Sequence, residues 1–160
     1  MFRFVQTRVN VSPLLSSQLF DERSFYKSFI SDLKHCQKQA IIESPFLTCR
    51  RSCEIASVMK KLLKRGVRVK VYTREPRHHS YRLRDEAIRS IQILRESGIK
   101  VYVCSDYRHR KVAVLDNSIL WEGSLNILSQ RRSREVMRRI ESPQLCRQML
   151  SFTGINRWFW

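Results

Sequence analysis

His109 and Lys111 lie two residues apart in the stretch Arg108-His109-Arg110-Lys111-Val112-Ala113-Val114-Leu115-Asp116. Its alternation reads as a strand, in which every second side chain shares a face, so the imidazole and the ammonium stand side by side. A histidine beside a fixed cation makes a poor metal site and a good phosphate site. A second strand, Ser118 to Trp121, leads into Gly123-Ser124-Leu125-Asn126. Gly123 lets the backbone come close to a ligand, and Ser124 and Asn126 offer donors from alternate positions. All four polar groups can converge on one phosphate. The other metal-ligand types point nowhere comparable. Cys49 and Cys53 have the spacing of two zinc ligands, but no second Cys/His pair follows to close a four-ligand site, so free or partly buried thiols are the reading. His78 and His79 are adjacent and point apart on an extended chain. We expect no metal and no cofactor.

The elements that must position these residues form a βα pattern. The spacing of Phe25, Phe29, Ile30 and Leu33 predicts an amphipathic helix over about 21–38. Ala40 to Glu43 is a short buried strand ended by Ser44-Pro45, since Pro45 has no N–H to continue a ladder. Ser52 can cap a helix whose apolar face is Ile55, Val58, Met59, Leu62 and Leu63, and Gly66 ends it. Val67 to Tyr72 follows as a strand with Val67, Val69 and Val71 inward. A further helix carries Leu83, Ala87, Ile88, Ile91 and Leu94 and stops at Gly98, before the strand Ile99 to Val103. This alternation predicts an α/β fold, a mixed sheet flanked by helices. Phe2 to Val11 reads as a first strand, although 1–20, with Arg3, Arg8, several serines and no acid before Asp21, also has a trace of a mitochondrial presequence. The aromatic tail 155–160 reads as a packing segment.

A chain of 160 residues has room for one domain, and we read 1–160 as one. Its 31 Lys and Arg against 14 Asp and Glu give +17 at neutral pH, with 42% hydrophobic residues to build a core. An acidic scaffold is excluded. Such a surplus attracts polyanions, with nucleic acid as the first partner and an anionic membrane surface as the second. No run reaches the roughly 20 apolar residues of a membrane span, and we expect no stable membrane insertion. Five cysteines cannot all pair, which fits a reducing, cytoplasmic setting, with a mitochondrial one as the alternative. In the basic loop 74–82, Arg77 and Arg82 can meet phosphates and Tyr81 can stack on a base. Arg108 and Arg110 flank the histidine. Arg131, Arg132, Arg134, Arg138 and Arg139 follow the Gly-Ser-x-Asn turn as a backbone-binding rim.

With these residues in place the sequence resembles the phospholipase D superfamily, whose signature is His-x-Lys, four residues, Asp, six residues, Gly-Ser-x-Asn. Every fixed position matches, at His109, Lys111, Asp116, Gly123, Ser124 and Asn126, and the likeness covers about 40 to 140 as one module. Ser133-Arg134-Glu135 stands where members often carry Asn-x-Glu, so Glu135 matches and Ser133 departs. The resemblance implies a phospholipase D-like fold and cleavage of a phosphodiester through a covalent phosphohistidine. His109 would attack phosphorus. Lys111, Ser124 and Asn126 would hold the non-bridging oxygens, and Glu135 would orient the imidazole. Asp116 tends to be structural in the family and is carried here as a further catalytic candidate. A complete site needs two such histidines and this chain has one His-x-Lys, so the resemblance further implies a homodimer sharing one site. Short members of this kind are nucleases. We therefore expect a metal-independent endonuclease acting on DNA or RNA. A phospholipid-acting phosphodiesterase and a non-catalytic nucleic-acid-binding module are the alternatives.

Overall fold

Gly66 and Gly98 stand at φ +80° and +83°, a left-handed backbone that ends each preceding helix and turns the chain directly into a strand. That junction, used twice, lays down a run of parallel strands. The computed structural model describes residue 12 and residues 16–129 and 132–155. In chain order these form β1 (Gln18–Asp21), α1 (Phe25–His35), β2 (Gln39–Glu43), α2 (Cys49–Lys64), β3 (Arg68–Arg74), a 3-10 turn (Pro76–His78), α3 (Tyr81–Glu96), β4 (Lys100–Cys104), β5 (Val112–Leu115), β6 (Ile119–Gly123), β7 (Val136–Glu141) and α4 (Pro143–Thr153). The strands make one mixed sheet in the order β1-β7-β6-β5-β2-β3-β4. β2, β3 and β4 run parallel, and the half from β5 to β1 is antiparallel. The expected α/β architecture is what the chain adopts.

Side-chain alternation divides the core between the two faces of the sheet. Ala40, Ile42, Val69, Val71, Ala113, Leu115 and Trp121 pack with α1, α2 and α3. Ile41, Val112, Val114, Leu120 and Ile140 pack with Cys146 and Leu150 of α4 and with Ile155. Trp121, fully buried, meets Phe25 edge-on at 5.2 Å between ring centroids. Its Nε1 donates to Asp32 at 2.9 Å, and Asp32 also accepts from Arg139 at 2.7 Å. This polar clasp holds α1 against β6 and β7. On the far face, the Tyr72 hydroxyl donates to the Ile155 carbonyl at 2.8 Å.

Four local expectations need correction. The first helix begins at Phe25, because the Asp21 carboxylate accepts from Ser24 N at 2.8 Å and from Arg23 N at 3.1 Å and so closes a turn ahead of it. The next helix starts at Cys49 after Thr48 as N-cap, and Ser52 is buried inside it. Leu83 and Ile88 remain exposed on α3, whose inward face is Ala87, Ser90, Ile91 and Leu94. The ladder of β5 begins only at Val112, not at Arg108, because its partner β2 ends opposite that residue: Glu43 pairs with Val112, and Ser44-Pro45 then turns away. Cys36 and Cys146 are buried, Cys49 and Cys104 partly covered and Cys53 exposed, and all five are free thiols. The expected strand at Phe2 to Val11 and the tail beyond Ile155 lie outside the described residues. No described helix is long and apolar enough to cross a membrane.

Candidate active site

The carboxyl ends of β2, β3 and β4, the entry to β5, the exit of β6 and the entry to β7 all open on the same end of the sheet, as the strand registers require. In an open α/β sheet this end is where ligands bind. Loop-to-loop hydrogen bonds fix it. Thr48 N donates to Leu128 O at 2.9 Å, Leu128 N donates to Ser44 Oγ at 3.1 Å, and Glu75 N donates to Cys104 O at 2.8 Å. Tyr26, from α1, donates its hydroxyl to Ile127 O at 3.0 Å and so braces the Gly-Ser-x-Asn turn from below.

Lys111 is buried at the head of β5, whereas His109 is exposed. The Lys111 ammonium donates to His109 Nδ1 at 2.6 Å and to the His109 carbonyl at 2.6 Å. Tyr107, at φ +54°, makes the turn that lets the chain approach this pair. Such a conformation is strained for a residue with a side chain and persists only where its surroundings enforce it. The Tyr107 ring stacks on His78 at 4.0 Å. Burial, then the Lys111 and Arg74 cations, hold the His109 imidazole below the ordinary histidine pKa. Burial likewise lowers the Lys111 ammonium, while the Glu135 carboxylate pulls it back up. The result is a neutral imidazole beside a lysine that has lost part of its hydration, a pairing suited to receive an anion.

Ser124 lies between the two motif strands and their acid. Its hydroxyl donates to one oxygen of Glu135 and accepts from Val136 N at 3.1 Å. Ser133 donates to the other Glu135 oxygen at 2.7 Å, so the residue that departs from Asn-x-Glu still holds the carboxylate. Glu135 bonds Ser124 and Ser133, and no hydrogen bond from it to His109 is present among the described residues. Gly123 is needed for close approach: a methyl there would overlap the Val136 carbonyl oxygen and stand 2.9 Å from Met137 Cα. Asn126 turns its Oδ1 into a covered position without a hydrogen-bond partner.

Asp116 is not brought to this cluster. At the far end of β5, five residues and so roughly 16 Å of strand from Lys111, its carboxylate accepts from the backbone N–H groups of Gln37 at 2.8 Å, Lys38 at 2.7 Å and Gln39 at 2.9 Å. Burial raises its pKa, but those three bonds outweigh it and hold the carboxyl low. Its place is that of a clasp between β5 and β2.

The arginines divide. Arg77, Arg82 and Arg132 are exposed, and Arg134 is exposed while paired with Glu22 at 3.1 Å. Arg131 lies outside the described residues. Arg108 and Arg110 are committed inward, at 3.6 and 3.1 Å from Glu43, which is fully buried. Arg108 also pairs with Asp106 at 2.7 Å. Burial pushes the Glu43 carboxyl up and the two guanidiniums work against that push; a buried acid left without them would be costly, so both are held to Glu43. Arg138 donates to Ser17 at 2.6 Å and Arg139 holds Asp32, so the basic rim is shorter than the sequence implies.

Sequence reasoning missed Arg74, Phe46 and the position of His79. Arg74 ends β3, donates to the His78 carbonyl at 3.0 Å and keeps its Nε covered and unpaired. Phe46 packs edge-on against His109 at 5.7 Å between ring centroids and against His79 at 4.9 Å. The available signal was topological, since all three lie just past or at the carboxyl end of a parallel strand.

A family model described as "Cardiolipin synthase, PLD-like domain" matches residues 29–154. The chain belongs to the phospholipase D-like family. Solved structures agree on the phospholipase D-like fold. Nuc, a phospholipase D family member from Salmonella typhimurium, superposes with a TM-score of 0.72 at 22% identity, covering 86% of this chain and 90% of that one. NucT from Helicobacter pylori gives 0.67 at 21% identity, covering 85% and 91%. Polyphosphate kinase from Porphyromonas gingivalis gives 0.66 at 11% identity, covering 89% of this chain and 26% of that one. No curated protein sequence matches this chain.

Proposed function

We propose that this phospholipase D-like chain is a metal-independent endonuclease that cleaves DNA or RNA through a phosphohistidine. The observation that carries the reading is the contact of the buried Lys111 ammonium with the exposed His109 imidazole at 2.6 Å. An incoming phosphodiester places a non-bridging oxygen against Lys111, with the Asn126 amide N–H as a further donor; Ser124, whose one hydroxyl proton goes to Glu135, serves by holding that acid. A His109 nitrogen forms a bond to phosphorus as the bond to the leaving alkoxide breaks, and that alkoxide takes up a proton. Water then attacks the phosphohistidine, which returns a free imidazole and a phosphate monoester. Lys111 supplies the fixed positive charge that such a transition state needs. Glu135, occupied by Ser124 and Ser133, balances that charge instead of gathering metal ions.

The proton for the leaving oxygen comes, in this reading, from His109 of a second copy across a two-fold axis. A surface that supports such pairing lies beside the site. Leu19, Val136 and Phe152 are exposed at 61%, 48% and 82%, and they line a shallow hollow of about 510 Å³ with Lys111 and Gly123. The net charge of +17 favours a polyanionic substrate. The same exposed apolar side chains, with the name of the matched family, favour a phospholipid-acting phosphodiesterase as the second reading. One experiment separates the two: wild-type and His109→Ala protein are incubated in EDTA with labelled DNA, labelled RNA and cardiolipin-containing vesicles. Cleavage of nucleic acid by wild type alone is expected, and lipid hydrolysis with intact nucleic acid would reverse the assignment.

A further inference from the structure

Next to His109 the loops leave a cleft of about 290 Å³, lined in part by Phe46, Leu47, Thr48, His79, Asn126 and Ser133. It is continuous with the phosphate-holding groups. Phe46 touches His109, Asn126 belongs to the Gly-Ser-x-Asn turn, and Ser133 holds Glu135. Among the described residues, no acid, lysine or arginine lines it, in a chain of +17. The cleft therefore suits a neutral group attached to the phosphate and not a second phosphate. Two residues of its lining hold covered polar atoms: among the described residues, Asn126 Oδ1 and both ring nitrogens of His79 have no hydrogen-bond partner. A buried polar atom without a partner is costly, so these atoms mark a place where a ligand with its own donors and acceptors can pair with them.

We propose that this cleft is a nucleobase subsite, holding one unpaired base of the strand whose adjacent phosphate sits at Lys111. The subsite rests on the nuclease reading and deepens it. A base offers a flat π face to the Phe46 and His79 rings, whose centroids are 4.9 Å apart. Its edge offers donors and acceptors to Asn126 and, after rotation of the imidazole, to His79. An acyl chain would leave the same atoms unpaired. A base inside a duplex keeps its faces stacked and its edge paired, so a duplex must open before one of its bases can fill the cleft. The consequence is a preference for single strands, with base contacts that tolerate many sequences.

The test uses binding and cleavage together. Affinity is measured by anisotropy on a His109→Gln background for a labelled single-stranded oligonucleotide and for its counterpart with abasic sites throughout. Phe46→Leu and His79→Ala are each compared with that background. Two variants are used so that poor folding of one does not decide the matter. Each is expected to weaken binding of the intact oligonucleotide about tenfold, the scale of one lost stacking contact, and of the abasic one less than twofold. Equal losses on both oligonucleotides, or no loss on either, would overturn the subsite. Wild-type protein that leaves DNA and RNA uncut while base-dependent binding persists would instead sink the nuclease reading and leave the subsite standing.

Discussion

Lys111 shapes His109 as much as it prepares for substrate. Burial, Lys111 and Arg74 all favour the neutral imidazole, so the histidine should titrate below the ordinary value of about 6.5. Neutral imidazole is the attacking form. The shared site needs one copy of His109 neutral to attack and the other protonated to donate, so kcat/KM is expected to peak below pH 6.5 and to fall as pH rises through neutrality. An NMR titration checks the cause without turnover: the His109 pKa should rise in Lys111→Met, and an unchanged value would assign the shift to burial and Arg74. His109→Ala and Lys111→Ala should each lower kcat by about 10³-fold or more. Nucleic-acid affinity should change by less than about threefold, because binding is spread over peripheral arginines. Cleavage by either variant at near wild-type rate would place the chemistry elsewhere. These residues were legible because the motif spells their types and spacing. Phe46, Arg74 and His79 were not, because nothing in their own neighbourhoods says which strand end they share.

At the level of elements, Asp116 ties the end of β5 to the start of β2 through three backbone N–H groups. Asp116→Ala strands those donors and should cost about 1.5–3 kcal/mol, while the specific activity of the folded fraction holds. Chemical denaturation with a parallel activity assay measures both. Because the folded carboxyl titrates below its unfolded value near 3.9, its contribution is present above that pH and fades as pH falls through the folded value. The helix–glycine–strand junctions at Gly66 and Gly98 were readable since a left-handed helix end has few chemical solutions. The start of α2 was not, because Thr48 and Ser52 are both fit to cap and only the bond from Thr48 N to Leu128, far along the chain, selects the first. Arg108 and Arg110 misled for a related reason. Residue type announces a charge, whereas the buried Glu43 that occupies it emerges only when β2 and β5 pair.

Across the whole molecule, a charge of +17 should make binding strongly salt-dependent. The log–log slope should be roughly −0.7 to −0.9 per phosphate neutralised, and the double variant Arg131→Ala, Arg132→Ala should flatten it. An identical slope would return those arginines to ordinary surface. Sedimentation of active protein should show a dimer, and an active monomer at catalytic concentration would move the proton-donor role to another group. The order of the strands also governs how the chain comes to life. β2, β3 and β4 with α2 and α3 are contiguous and can associate as soon as they are made. β1 is synthesised early but its only ladder among the described residues is with β7, from Gln18↔Arg139 to Asp21↔Val136. Closing a loop that long is slow and is rewarded only at the end. β5, β6 and β7, with Lys111, Ser124 and Glu135, are made after that parallel half, and β1 can dock only once β7 is in place. In pulse-labelled refolding, amide protection should appear first along β2 to β4 and last along β1. A nascent chain would carry most of its core well before it carries a working phosphate site.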